Sequence, residues 1–358
     1  MSTFTQSKYN FFANPKQYNT QKYTSVLDAA QGIAQPFLAV QQQNTGNVIN
    51  VDSETNYIVI NNQKYQVINK YENPEGLPKR NDRNYYIGQD YYFEYGLLHE
   101  SAWPIAFPNI TYSRSQFTFT CEVDCVGYGC RVLSAVGLNG QDAYSELIDN
   151  IHRMHEIHFA ERGVVASAFE FAIAFPLFPT INEDEEDSGW YYVSGNVDST
   201  YFEEKGLNYY GVPNGDFRQA KAGDILSFGY IGYGANGHFM VLLDSPLQLS
   251  PNNVPDYLRK NSQEINWNQY NVYAVDVLDC SGMNAHFNDS RRTTSGIGTG
   301  TLIILTDKNE DIPIGFIFGP SPSRNDVYGK SGAYIEMISS LDESSHVVAI
   351  TVGRYRAR

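Results

Sequence analysis

At 358 residues the chain is long enough for one large domain or two ordinary ones, and 42% hydrophobic residues can fill a core in either case. Only 18% of residues are charged, and the net charge of −15 excludes a general nucleic-acid or anionic-membrane binder, since both need clustered Lys and Arg. No apolar run reaches the length of a membrane span, and Met1-Ser2-Thr3-Phe4-Thr5-Gln6 has neither a basic nor an apolar leader segment. These features predict no membrane insertion, and a cytoplasmic protein or one exported without a signal peptide.

Residues 1 to about 25 are rich in Asn, Gln, Tyr and Lys and read as a loose arm. A short helix is expected at Ser25-Val26-Leu27-Asp28-Ala29-Ala30, ahead of Pro36. Tyr57-Ile58-Val59-Ile60 and Lys64-Tyr65-Gln66-Val67-Ile68 flank Asn61-Asn62 and predict a β-hairpin. Residues 70 to 90 are turn-rich, so the first 110 residues are expected to form an arm and a β-rich accessory layer.

From Phe117-Thr118-Phe119-Thr120 onward the pattern changes. Helical spacing is predicted over 130–136 and again over 144–151, and residues 180 to 215 read as a long loop carrying the acidic run Glu183-Asp184-Glu185-Glu186-Asp187. Strands are predicted at 225–231, 238–243, 271–278, 300–306, 313–318 and 346–353. Helices followed by a run of strands at hairpin spacing predict an α+β fold on an antiparallel sheet.

The chain has four cysteines, Cys121, Cys125, Cys130 and Cys280, too few for a disulfide framework. Three of them fall within ten residues, but their spacings are not those of a zinc knuckle, so no metal is expected. Cys125, followed by Gly127 and Gly129, lies just before a predicted helix. There the free amides and the helix dipole lower a thiol's pKa and can hold an oxyanion. Cys121 and Cys130 fit the ordinary role of a small buried hydrophobe better. His238 follows Gly237 and opens the apolar run Phe239-Met240-Val241-Leu242-Leu243, where its ring stands at the mouth of a strand and can serve a thiol as base. The hairpin partner is Gly223-Asp224-Ile225-Leu226. A third polar group should fix the imidazole tautomer, and the following strand offers Asp276 and Asp279. If that strand runs antiparallel, its C-terminal end lies beside His238, and alternation turns the two carboxylates to opposite faces. Asp279 is therefore the expected orienting group.

Asp124-Cys125-Val126-Gly127, Gly223-Asp224-Ile225, Gly237-His238-Phe239-Met240 and Asp279 together resemble the NlpC-type cell-wall cysteine peptidases of the papain-like superfamily, over roughly residues 115–285. In that family an Asp-Cys-Ser-Gly box opens a helix, and a Gly-His strand follows a Gly-Asp segment. Here Val126 stands where the family has Ser, and Cys125 and His238 are 113 residues apart, which implies an insertion around 160–220. The resemblance implies a papain-like core over 111–358, with the Cys-bearing helix packed on an antiparallel sheet. It implies a hydrolase that cleaves an amide, in a peptide or peptidoglycan-like substrate, through a Cys125–His238–Asp279 triad and an acyl-enzyme. No cofactor is required. The same triad would serve a deamidase or acyltransferase acting on a protein, and a catalytically silent binding protein would keep the fold alone.

Other residues compete for these roles. Asp279-Cys280-Ser281-Gly282 repeats the cysteine box literally, and His346 could supply its base. The stretch after Cys280 has no helical period, however, and no Gly-Asp arm precedes His346. His152, His155 and His158 recur at three-residue spacing and read as an exposed stripe. Gly296-Ile297-Gly298-Thr299-Gly300 lacks a following Lys and reads as a flexible turn, not a phosphate loop. His286, Asp289, Arg291 and Arg292 follow the Asp279 strand closely, and the two arginines are the candidate carboxylate-binding groups of the cleft.

Overall fold

A computed structural model describes residues 23–41, 48–51, 56–60, 63–71, 109–113, 116–123, 125–137, 142–147, 168–181, 189–198, 215–231, 237–250, 266–282, 285–291, 295–319, 334–338 and 346–357. Helix α1 (Val26–Gln41) begins where the Ser25 hydroxyl accepts the Asp28 N–H at 3.1 Å. Val26, Ala29, Ala30, Ile33, Ala34, Phe37 and Leu38 recur at helical spacing and are all buried. The helix runs on through Pro36 to Gln41, eleven residues beyond the Ala30 end expected from sequence. An interior proline costs about 3 kcal/mol, but full burial of Phe37 and Leu38 contributes about 1.5–3 kcal/mol each. Packing therefore outweighs the local break.

The next five strands are β1 (Val48–Val51), β2 (Asn56–Ile60), β3 (Gln63–Tyr71), β4 (Asn109–Ser113) and β5 (Gln116–Val123). They form one sheet in the order β1-β2-β3-β5-β4, with the expected β2–β3 hairpin and a parallel β3–β5 pair. A boundary at residue 110 would cut through β4 and divide this sheet, so the small sheet extends to Val123.

Helix α2 (Cys125–Ser134) follows β5 directly and is buried on every side. It starts at Cys125 itself, several residues before the predicted helical run. A helical turn at 143–147 comes next, its Ser145 N–H donating to Asp142 at 2.8 Å. Helix α3 (Ala168–Ala174) precedes β6 (Gly189–Val197), which falls inside the stretch expected to be loop.

The main sheet is completed by β7 (Ile225–Ile231), β8 (Gly237–Leu242), β9 (Leu247–Leu249), β10 (Tyr270–Ser281), β11 (Gly296–Asp307), β12 (Pro313–Phe318), β13 (Tyr334–Met337) and β14 (His346–Arg356). Its order is β13-β12-β11-β10-β8-β7-β14-β6, with β9 continuing the β8 side of β10, and every pairing is antiparallel. Gly237 opens β8 at φ 152°, and a Cβ there would run into the Phe228 carbonyl oxygen, so the glycine before His238 is required by the hairpin.

The sheet curls until its flanks touch. Ile338 bridges Val347 of β14, and the Phe228 ring on β7 stacks on Phe316 of β12 at 4.0 Å between centroids. The inner face carries Leu226, Phe228, Met240, Leu242, Val275, Val277, Leu302, Ile304 and Phe316. The outer face, with Ile225, Phe239, Val241, Leu278, Cys280 and Ile297, packs against the three helices. The protein is thus an α+β fold on an antiparallel sheet. Among the described residues no helix is long and apolar enough to cross a membrane.

Candidate active site

The β7–β8 hairpin places Phe228 opposite His238, and the β8–β10 ladder pairs Val277 with Leu242 and Leu278 with Val241. Antiparallel counting sets Asp279 beside Met240, one diagonal step from His238 and on the same inner face. His238 Nε2 and Asp279 Oδ2 lie 2.5 Å apart. Asp276 faces outward and accepts the Thr301 hydroxyl at 2.8 Å, so strand parity separates the two carboxylates as expected.

Asp279 has further partners. His286 Nε2 lies 2.8 Å from the same Oδ2, and Arg291 Nη1 donates to Oδ1 at 2.7 Å. Arg291 Nε donates to Asp289 Oδ1 at 2.8 Å and Nη2 to Oδ2 at 3.1 Å, and Oδ2 also accepts the His286 N–H at 2.9 Å. Segment 285–291 runs along the open edge of β11, with Phe287 and Thr301 exchanging backbone hydrogen bonds. To reach Asp279 on β10, its side chains must cross β11. Alternate glycines allow this: a Cβ on Gly300 would collide with the His286 side chain, and one on Gly298 would sit 2.5 Å from Arg291 Cγ. Gly296–Gly300 is therefore the start of β11 rather than the flexible turn expected from sequence.

The side chains of Asp279, His286 and Arg291 are wholly inaccessible, and that of His238 is 11% exposed. Phe318 lies against both imidazoles, at 5.9 Å from His238 and 5.6 Å from His286 between ring centroids. This corrects one expectation. Arg291 is not a substrate-binding group of a cleft, because it is fully buried and its guanidinium already holds two carboxylates. Arg292 lies outside the described residues.

Burial alone would raise the Asp279 carboxyl, but Arg291, His286 and His238 outweigh it and hold the group well below the usual carboxylate range. His238 is pushed below its ordinary value, chiefly by burial, against the opposing pull of Asp279. Both shifts act in one direction on stability. A group with a depressed folded pKa contributes above its unfolded pKa and loses that contribution as pH falls through the folded one. Acid unfolding should thus show a first loss below about pH 6.5 from His238 and a second below about pH 3.9 from Asp279. Urea midpoints measured from pH 8 to pH 3 check this, and His238→Phe should remove the first loss.

Cys125 is the first residue of α2, and the far end of that helix fixes its direction. Tyr23 N–H donates to Ala135 O at 2.7 Å and Gly137 N–H donates to Tyr23 O at 3.2 Å, tying the C-terminal end of α2 to the start of α1. There Leu27 lies 3.3 Å from a Cβ placed on Gly223, at the Ile225 end of β7. Gly129 rests on the Phe239 ring, close enough that a Cβ would clash with it. The N-terminus of α2 therefore points toward the His238 end of the sheet. Phe239 faces the helix, and its neighbour His238 turns to the other face, so the Cys125 helix and the His238 imidazole lie on opposite faces of the sheet.

The competing pair is arranged differently. Cys280 is buried within β10, not at a helix start, and β8 and β7 intervene between β10 and the His346 strand, three spacings or about 14 Å. Among the described residues Cys125, Cys130 and Cys280 form no disulfide, and His152, His155, His158 and the acidic run lie outside the described residues. Asp224 of the Gly-Asp segment is a brace: it accepts Arg354 Nε and Nη2 of β14 at 2.6 and 2.8 Å and the Lys221 N–H at 2.8 Å.

His238, Asp279 and His286 also form a group of metal-ligand type, with one donor atom of each within 4.8 Å of the others. Two ligands on one zinc ion stand roughly 3 Å apart or more at metal–ligand lengths of about 2.0–2.1 Å. The two contacts here, 2.5 and 2.8 Å, are hydrogen-bond lengths, and a guanidinium on the same carboxylate opposes a cation between them. Comparison with protein-family models, with curated proteins and with solved structures gives no match.

Proposed function

We propose that this chain is a cysteine hydrolase with a papain-like, NlpC-type core, in which Cys125 is the nucleophile, His238 the general base and Asp279 the orienting carboxylate. One observation carries the reading: a buried, ionised carboxylate hydrogen-bonds His238 at the end of the sheet toward which the Cys125 helix points. Nε2 of His238 is engaged by Asp279, so Nδ1 takes the thiol proton. The thiolate attacks an amide carbonyl, and the first-turn amides of α2, at the positive end of its dipole, receive the oxyanion. His238 returns the proton to the leaving amine, and water, deprotonated by the same ring, releases the acyl group. The substrate is an amide in a peptide, with a cell-wall peptide as the expected class.

Iodoacetamide tests the nucleophile directly. Near neutral pH it should label Cys125 faster than it labels free cysteine and abolish turnover, while chelators leave turnover intact. Labelling of Cys125 no faster than of Cys130 would sink the proposal.

A further inference from the structure

Asp279 Oδ2 faces two imidazoles, and the second has no part in the triad. An ionised carboxylate only accepts hydrogen bonds, so both Nε2 atoms carry protons. Among the described residues His286 Nδ1 is buried and has no hydrogen-bond partner, so the bond from Nε2 to Asp279 is what orients the ring.

We infer that His286 and Arg291 are positioning residues: they hold Asp279 from the side opposite His238 and so fix His238 as the Nε2–H tautomer, with Nδ1 as its basic atom. Arg291 fixes one oxygen at 2.7 Å and is itself clamped by Asp289. His286 fixes the other at 2.8 Å, with its ring against Phe318 and its side chain lying over Gly300. The carboxylate therefore cannot rotate to follow the imidazole, and the imidazole must take the orientation the carboxylate sets. Sharing Oδ2 between two donors also limits how much of its charge His238 receives.

This rests on His238 being the base, and the test reads the imidazole apart from turnover. ¹⁵N spectra of the imidazoles in full-length Cys125→Ala protein at pH 7.5 report the tautomer of each histidine. His238 should be Nε2–H only. His286→Gln places an amide N–H where Nε2 was and should keep that single tautomer, with kcat in the Cys125 protein within about threefold of the parent. His286→Phe fills the site without a donor and should give His238 as a tautomer mixture, with kcat lower by about tenfold or more and KM unchanged. An unmixed Nε2–H tautomer in His286→Phe overturns the inference. If that variant does not fold, a tautomer mixture in folded His286→Gln overturns it equally. Failure of the hydrolase reading would appear elsewhere, as slow alkylation of Cys125 with the tautomer pattern intact.

Discussion

Asp279→Asn is expected to lower turnover by about 10⁴-fold, the order seen when a triad carboxylate becomes an amide, while Asp276→Asn stays close to the parent. The amide keeps the shape of the carboxylate but can present N–H where His238 and His286 need an acceptor. Either ring must then give up its Nε2 proton or lose its bond, and His238 is left with the proton on the wrong nitrogen. Arg291 loses half of its compensation as well, so a loss of stability of about 3–5 kcal/mol accompanies the change. Among the described residues Asp276 has only the Thr301 hydroxyl to lose, on the outer face. Circular dichroism establishes that both variants are folded, and turnover is then compared at equal concentration. Parental turnover in folded Asp279→Asn would remove this carboxylate from the triad.

The second large effect is on stability and comes from two glycines with no chemistry of their own. Gly298→Val and Gly300→Val should each cost about 1–3 kcal/mol or more, because the added carbons meet buried atoms that cannot retreat. At Gly298 the obstacle is the Arg291 stem, pinned at its tip by Asp279 and Asp289. At Gly300 it is the His286 side chain. Ile297→Val, an outward neighbour on the same strand, should cost about 0.5–1.5 kcal/mol. Urea denaturation of the three variants decides the matter, and equal midpoints would mean that segment 285–291 does not lie over β11.

What was legible in the sequence was what strand alternation alone dictates. The β2–β3 and β7–β8 hairpins, the spans of β7 and β12, and the separation of Asp276 from Asp279 all follow from a two-residue period and turn residues. The parts that were missed depend on partners distant in sequence. Gly296–Gly300 looks like a turn because the reason for its glycines, the crossing of His286 and Arg291, is visible only once segment 285–291 lies on β11. Arg291 reads as a surface cation because nothing local announces Asp279 and Asp289 as its partners. β6 is framed by Gly and rich in Tyr, which disguises a strand whose residues Trp190, Tyr191, Tyr192 and Val193 are all buried. His286 had one available signal, a buried-type Ala285-His286-Phe287 run close behind the Asp279 strand, too weak alone to assign a role.

The place of β14 in the sheet has a consequence for how the chain must be made. β14 lies between β7 and β6, pairing with both, although β6 ends at Val197 and β14 begins at His346. A ribosome adding 5–20 residues per second needs roughly 7–30 s to cover that gap of about 150 residues. Through that interval Trp190, Tyr191 and Tyr192 have no strand on which to dock, and the backbone of β6 is an open edge of the kind that chaperones and other nascent chains recognise. The histidine end of the sheet can zip up during synthesis, but the flank beside it stays unfinished until β14 has left the exit tunnel.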